Sequence, residues 1–130
     1  YSHDMIGYNY RLPNINAALG CAQMLKIKNF LEIKQDLSNH WKNFFSKYDI
    51  DFYTPIEGAK SNNWLHAILL GSKKERDIFI VYTNKNFVMT RPIWKLMSDL
   101  RMFSECQTDG LKNSKWLEER VVNIPSSVPV

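Results

Sequence analysis

The feature that most constrains this chain is the helical pattern that runs from Ile15 to about Tyr48. Ile33, Leu37, Trp41, Phe44 and Tyr48 recur at three- and four-residue steps, which sets them on one helix face. Ile15, Ala18, Leu19, Ala22 and Leu25 form a second stripe ahead of them. A stretch this long exceeds an ordinary globular helix, so a bend or break is expected near Lys28 to Phe30. Asn14, directly after Pro13, is placed to cap its start by accepting a backbone N–H of the first turn. Ala17, Ala18, Gly20, Cys21 and Ala22 are small enough to let another backbone approach closely. So much helix needs a broad apolar partner surface, and the rest of the sequence has to supply it.

That surface reads as a sheet. Ile50 to Tyr53 is a short β-like run, closed by Thr54-Pro55. Residues 58–63 are a loop. Trp64-Leu65-His66-Ala67-Ile68-Leu69-Leu70 is apolar on both alternating faces, as in a strand covered on two sides. Ser72-Lys73-Lys74-Glu75 is a capping box that starts a helix to about Tyr82. Asn84-Lys85-Asn86 then turns the chain into a second strand, Phe87-Val88-Met89-Thr90. Arg91-Pro92 should end that strand, because proline has no N–H to give a ladder. Residues 94–103 mix apolar and charged groups without a clear period. A helix is expected over about 108–119 and a strand over 120–124, stopped by Pro125-Ser126-Ser127. The expected class is α+β: a three- or four-stranded sheet with helices packed on it, in a single domain.

Composition narrows the function. With 45% hydrophobic residues in 130, the chain can build a core. No apolar run approaches the roughly 18 residues that a membrane helix needs. The formal charge is +4, but Lys26, Lys28, Lys34, Lys42 and Lys47 are spread along a helix around Glu32 and Asp36. That distribution reads as a solvated surface rather than a nucleic-acid patch. Cys21 and Cys106 belong to no C-x-x-C pair, which suits reduced thiols in a cytoplasmic protein. His3, His40 and His66 have no metal-ligand spacing: His40 should face solvent, and His66 should be a hydrogen-bonded core histidine. There is no G-x-S-x-G and no glycine-rich phosphate loop.

Two regions concentrate chemistry. The opening loop packs His3, Asp4, Tyr8, Asn9, Tyr10 and Arg11 together, and amide and guanidinium groups suit a phosphate or a carboxylate. The same groups could equally serve only the loop's own backbone. Arg91-Pro92-Ile93-Trp94 follows a strand, where ligand contacts collect, although Trp94 could simply fill the core.

The run His3-Asp4-x-x-Gly7-Tyr8-Asn9-Tyr10-Arg11-Leu12-Pro13-Asn14-Ile15-Asn16-Ala17-Ala18-Leu19-Gly20, continued by Gln23-Met24, resembles the start of the C-terminal part of DegT/StrS-type sugar aminotransferases. Ser61-Asn62-Asn63-Trp64-Leu65-His66, Thr90-Arg91-Pro92-Ile93-Trp94-Lys95-Leu96 and Asn123-Ile124-Pro125-Ser126-Ser127 follow in the family's order. The wording of these blocks is most similar to the branch acting on UDP-linked 4-keto-6-deoxy-N-acetylhexosamines.

The resemblance implies the small C-terminal domain of a pyridoxal phosphate-dependent, aspartate aminotransferase-like enzyme. Such enzymes aminate a nucleotide-linked 4-keto-6-deoxy sugar, usually with glutamate as donor, as cytoplasmic homodimers serving surface-polysaccharide or glycan synthesis. It implies that the cofactor-carrying lysine lies in a large domain upstream of Tyr1, so that this chain alone should be inactive. It implies that Asn9 reaches the cofactor phosphate of a neighbouring subunit and that Arg11 adds charge beside it. His3 and Tyr10 match positions near the sugar-nucleotide pocket, and Arg91 and Trp94 match a block bordering the active site. Ser98, at a substrate-contacting position, stands where many members carry a histidine, and Arg101 replaces a common proline. Those departures leave room for a non-catalytic binding module that kept the fold. No metal, nucleic-acid or membrane partner is implied.

Overall fold

A computed structural model describes residues 3–128. The elements run α1 (Asn14–Met24), α2 (Ile27–Phe45), β1 (Asp51–Phe52), β2 (His66–Leu69), α3 (Lys73–Lys85), β3 (Arg91–Pro92), α4 (Lys112–Glu118) and β4 (Val121–Ile124). The strands form one antiparallel sheet in the order β1-β2-β4-β3. The α+β class and the sheet with packed helices are as expected, with four strands.

The register explains the core. His66 pairs with Ile124 and Ile68 with Val122, so the buried residues of the two central strands share one face. Trp41 and Phe45 of α2, and Phe79 and Ile80 of α3, close over that face together with Phe52. The opposite face is half-buried, so β2 is covered fully on one side rather than two. On α2 the inward aromatics are Trp41 and Phe45; Phe44 and Tyr48 stand partly exposed and pack on each other, ring centres 5.1 Å apart.

The long helix breaks at Leu25-Lys26 rather than at Lys28 to Phe30. The break falls where the first apolar stripe ends, because the two halves face different surroundings. α2 packs on the sheet, whereas α1 has no buried residue and leaves Ile15, Leu19 and Met24 mostly exposed. Asn14 is not the cap. It is the first helical residue, and extended Pro13 precedes it with its carbonyl accepting the N–H groups of Asn16 and Ala17 at 3.0 Å each. Proline's fixed φ and missing N–H suit that boundary.

The expected strand 87–90 is not one. α3 runs on to Lys85, and the chain reverses through Phe87 at φ 62°, leaving that ring almost fully exposed. The strand forms two residues later, at Arg91–Pro92, pairing Arg91 with Asn123 and Pro92 with Val122. It is an edge strand, where a proline's missing N–H costs no ladder bond. Thr90 is buried before it, with its hydroxyl 2.6 Å from that of Thr83. The last helix starts at Lys112, not near Thr108, because Gly110 and Leu111 both adopt positive φ. Residues 94–103 hold two short 3₁₀ turns around buried Leu100. Both cysteines are exposed and unpaired, and no helix among the described residues is long and apolar enough to cross a membrane.

Candidate active site

The Ser72 arm of the capping box forms as expected, whereas the Glu75 arm reaches back one residue further, to Gly71 instead of Ser72. Ser72 Oγ accepts the Glu75 N–H at 3.2 Å, and Glu75 Oε2 accepts from Gly71 at 3.0 Å. This fixes α3 at the far end of β2 and leaves the near end of the central strand pair to form a site. Past the His66–Ile124 pair the two chains part, since Pro125 has no N–H to continue the ladder.

A cavity of about 380 Å³ opens there. Met89, Arg91, Pro92 and Trp94 line one side, residues 123–127 the other, and Leu65 joins them. Arg91 supplies its one charged side chain, with its guanidinium 2.8 Å from Met89 Sδ. Asn123, Ser126 and Ser127 add an amide and two hydroxyls. At the rim, Trp94 and Trp64 stack, 6.3 Å between centres and 29° between planes, with more than half of each exposed. An aromatic face beside amide, hydroxyl and guanidinium donors suits a hydroxyl-rich or anionic ligand with one apolar side.

α2 holds the 125–126 wall and the neighbouring 63–64 segment. Lys34 Nζ donates to the Asn63, Trp64 and Ser126 carbonyls. The Trp41 indole donates to Pro125 at 3.0 Å, and Asn63 Nδ2 donates to Gln35 Oε1 at 3.0 Å. Burial lowers the Lys34 pKa from the ordinary lysine value.

His66 is buried beneath this floor, only 2% exposed, but it is not the hydrogen-bonded core histidine expected. Neither ring nitrogen has a hydrogen-bond partner. Loss of solvation lowers its pKa, and the Lys34 charge adds to the effect. The neighbouring Pro125 carbonyl opposes the shift, although it lies outside hydrogen-bonding geometry with the ring.

Of the sequence-derived candidates, Arg91 and Trp94 meet at the cavity. Ser98 does not join them: it lines a separate cavity of about 300 Å³, with its hydroxyl unpartnered. His3, Asn9, Tyr10 and Arg11 lie on the exposed arm before α1 and line neither cavity. On that arm Asn9 Oδ1 accepts the Arg11 N–H at 2.8 Å, with Arg11 at φ 79°. This bond ties the Asn9 side-chain oxygen to the arm's own backbone. Sequence reasoning placed Asn123, Ser126 and Ser127 in a family-like block without giving them a site role, and it read Lys34 as solvated. The spacing of Lys34 from Trp41, two helical turns on, placed it on the packed face.

The profile of the DegT/DnrJ/EryC1/StrS aminotransferase family matches residues 1–130. The chain belongs to this family. A GDP-perosamine synthase of Vibrio cholerae is 26% identical over 129 residues, 97% of this chain and 35% of that protein. Helicobacter pylori PseC, an aminotransferase involved in pseudoaminic acid biosynthesis, superposes with a TM-score of 0.80 at 19% identity, covering 96% of this chain and 35% of PseC. Streptococcus pneumoniae Spr1654, solved in a PLP form, superposes at 0.75 with 17% identity, covering 90% of this chain and 31% of its own. The chain thus spans about a third of the curated relatives it matches.

Aminotransferases of this family depend on pyridoxal phosphate. The residues here fit a share of such a site. The arm offers amide and guanidinium donors for a phosphate, and the cavity offers donors for a substrate, but no lysine lines the cavity.

Proposed function

We propose that this chain is the C-terminal small domain of a pyridoxal phosphate-dependent aminotransferase. It transfers an amino group from glutamate to a nucleotide-linked 4-keto-6-deoxy sugar, in a cytoplasmic homodimer. The observation that carries this reading is the meeting of two separate family-like blocks, Arg91 to Trp94 and Asn123 to Ser127, at one cavity. The cofactor, held mainly by a large domain outside this chain, supplies an electron sink for the amino transfer. This domain's share is grip and orientation.

Asn9 and Arg11 donate hydrogen bonds to the cofactor phosphate of the neighbouring subunit, a role that amide and guanidinium groups on an exposed arm suit. His3 and Tyr10 on the same arm border the sugar-nucleotide pocket. Arg91 and Trp94 form a wall of the sugar site, with the indole against the sugar's apolar face. Ser98 contacts substrate only if ligand extends into the second cavity, so its role is the most distant of the set. The blocks resemble a UDP-sugar branch and the curated relative named above is a GDP-perosamine synthase, readings that share a nucleoside-diphosphate sugar as substrate.

The test uses the product of the complete reading frame, incubated with pyridoxal phosphate and reduced with borohydride. Peptide mapping should find the cofactor fixed to a lysine outside residues 1–130, and glutamate should support amination of a 4-keto sugar nucleotide. No trapped lysine would leave a non-catalytic module of the same fold.

A further inference from the structure

The ammonium of Lys34 has three N–H donors and three carbonyl acceptors, those of Asn63, Trp64 and Ser126. No carboxylate pairs with it among the described residues. The other lysines on and beside this helix behave differently: Lys26, Lys28, Lys42 and Lys47 are exposed. Lys34 therefore does not serve solubility or a surface ion pair. It spends its hydrogen bonds on the two chain segments that part beyond the last β2–β4 pair.

One of those segments is a wall of the cavity, and the other reaches the opposite wall through the stacking of Trp64 on Trp94. Trp64 carries the outer ring of the stacked pair, and Ser126 lines the cavity. No ladder bond crosses the gap between them; Trp41 and Gln35 each hold one segment, and Lys34 is the α2 side chain that bonds both. We propose that Lys34 is a positioning residue for the sugar-binding wall: it sets the Trp64–Trp94 stack and the Ser126 side of the cavity mouth. This rests on the proposed aminotransferase reading for its kinetic consequence, but not for its geometric one.

The full-length enzyme tests both. Lys34→Met keeps the stem and removes the three donors, whereas Lys34→Arg keeps a cation that can bridge carbonyls. The stacked indoles should give a far-ultraviolet exciton couplet, identified by its loss in Trp64→Phe and in Trp94→Phe. Lys34→Met should weaken that couplet and raise KM for the keto sugar about tenfold, because small misplacements of positioning groups are costly. The glutamate half-reaction should change less than the sugar half-reaction, since glutamate is too small to need the Trp64–Trp94 stack. Lys34→Arg should restore most of the couplet and the KM.

A lowered Tm with unchanged couplet and unchanged KM would overturn the proposal and leave Lys34 a plain stability contact. If Lys34→Met does not fold, Lys34→Gln replaces it, with the same criteria. If the wild-type enzyme aminates no sugar, the functional reading fails, and the couplet, read without substrate, still decides the role of Lys34.

Discussion

Replacing His66 with leucine should stabilise this chain. The imidazole is 2% exposed and neither nitrogen is hydrogen-bonded. A buried polar group left unpaired costs about 1–3 kcal/mol. Leucine fills a similar volume without that cost, although it gives up the ring contact with Phe52, 5.8 Å between centres. Repacking of this kind costs less than about 1.5 kcal/mol. The net expectation is about 1 kcal/mol of added stability above pH 7.5, or about 4 °C in Tm for a domain of this size.

The pH dependence sharpens the test. The folded-state pKa of His66 is lowered by burial, so between that value and about 6.5 the unfolded chain binds a proton that the folded chain does not. Wild-type stability therefore falls as pH drops below about 6.5, by up to about 1.4 kcal/mol per unit, and levels off once the folded form also protonates. The advantage of His66→Leu should widen across that window. Urea unfolding at pH 8, 6.5 and 5.5 measures it. A leucine variant less stable than wild type at pH 8, or a difference that does not change with pH, would refute the reasoning.

Three further outcomes are expected. In the full-length enzyme Asn9→Ala should weaken cofactor retention about tenfold, the worth of one charge-assisted hydrogen bond, while Tm of the cofactor-free protein stays unchanged; equilibrium dialysis with pyridoxal phosphate checks it. Ser72→Ala removes the acceptor for the Glu75 N–H and should cost about 1 kcal/mol in urea unfolding. Thr90→Val deletes the buried 2.6 Å contact with Thr83 and should cost about 1–2 kcal/mol, with native-state hydrogen exchange speeding first at the α3–β3 turn.

The elements that sequence revealed were those whose residues act locally. The Ser72–Glu75 box names its own helix start, and the apolar run around Ile68 can only be a central strand. The misreadings came where tertiary geometry overrides local pattern. Phe87-Val88-Met89 has strand composition, yet α3 runs on to Lys85 and turns the chain there, pushing Phe87 into solvent and the pairing on to Arg91. Phe44 and Phe45 differ by one position, and only the sheet decides which of them the helix buries.

The site was legible in a different proportion. Arg91 and Trp94 could be named because a charged and an aromatic side chain after a strand are conspicuous. Asn123, Ser126 and Ser127 stood in a family-like block but could not be placed at the site, because their contribution depends on a register that joins residues over thirty positions apart. Lys34 is the harder case, since a lysine among lysines carries no mark of its own. Its meaning comes from three carbonyls that the parting strands leave without ladder partners. A backbone that stops pairing must find donors elsewhere. The helix that crosses such a gap is therefore the place to look for them, and a long flexible cation is the side chain able to satisfy several at once.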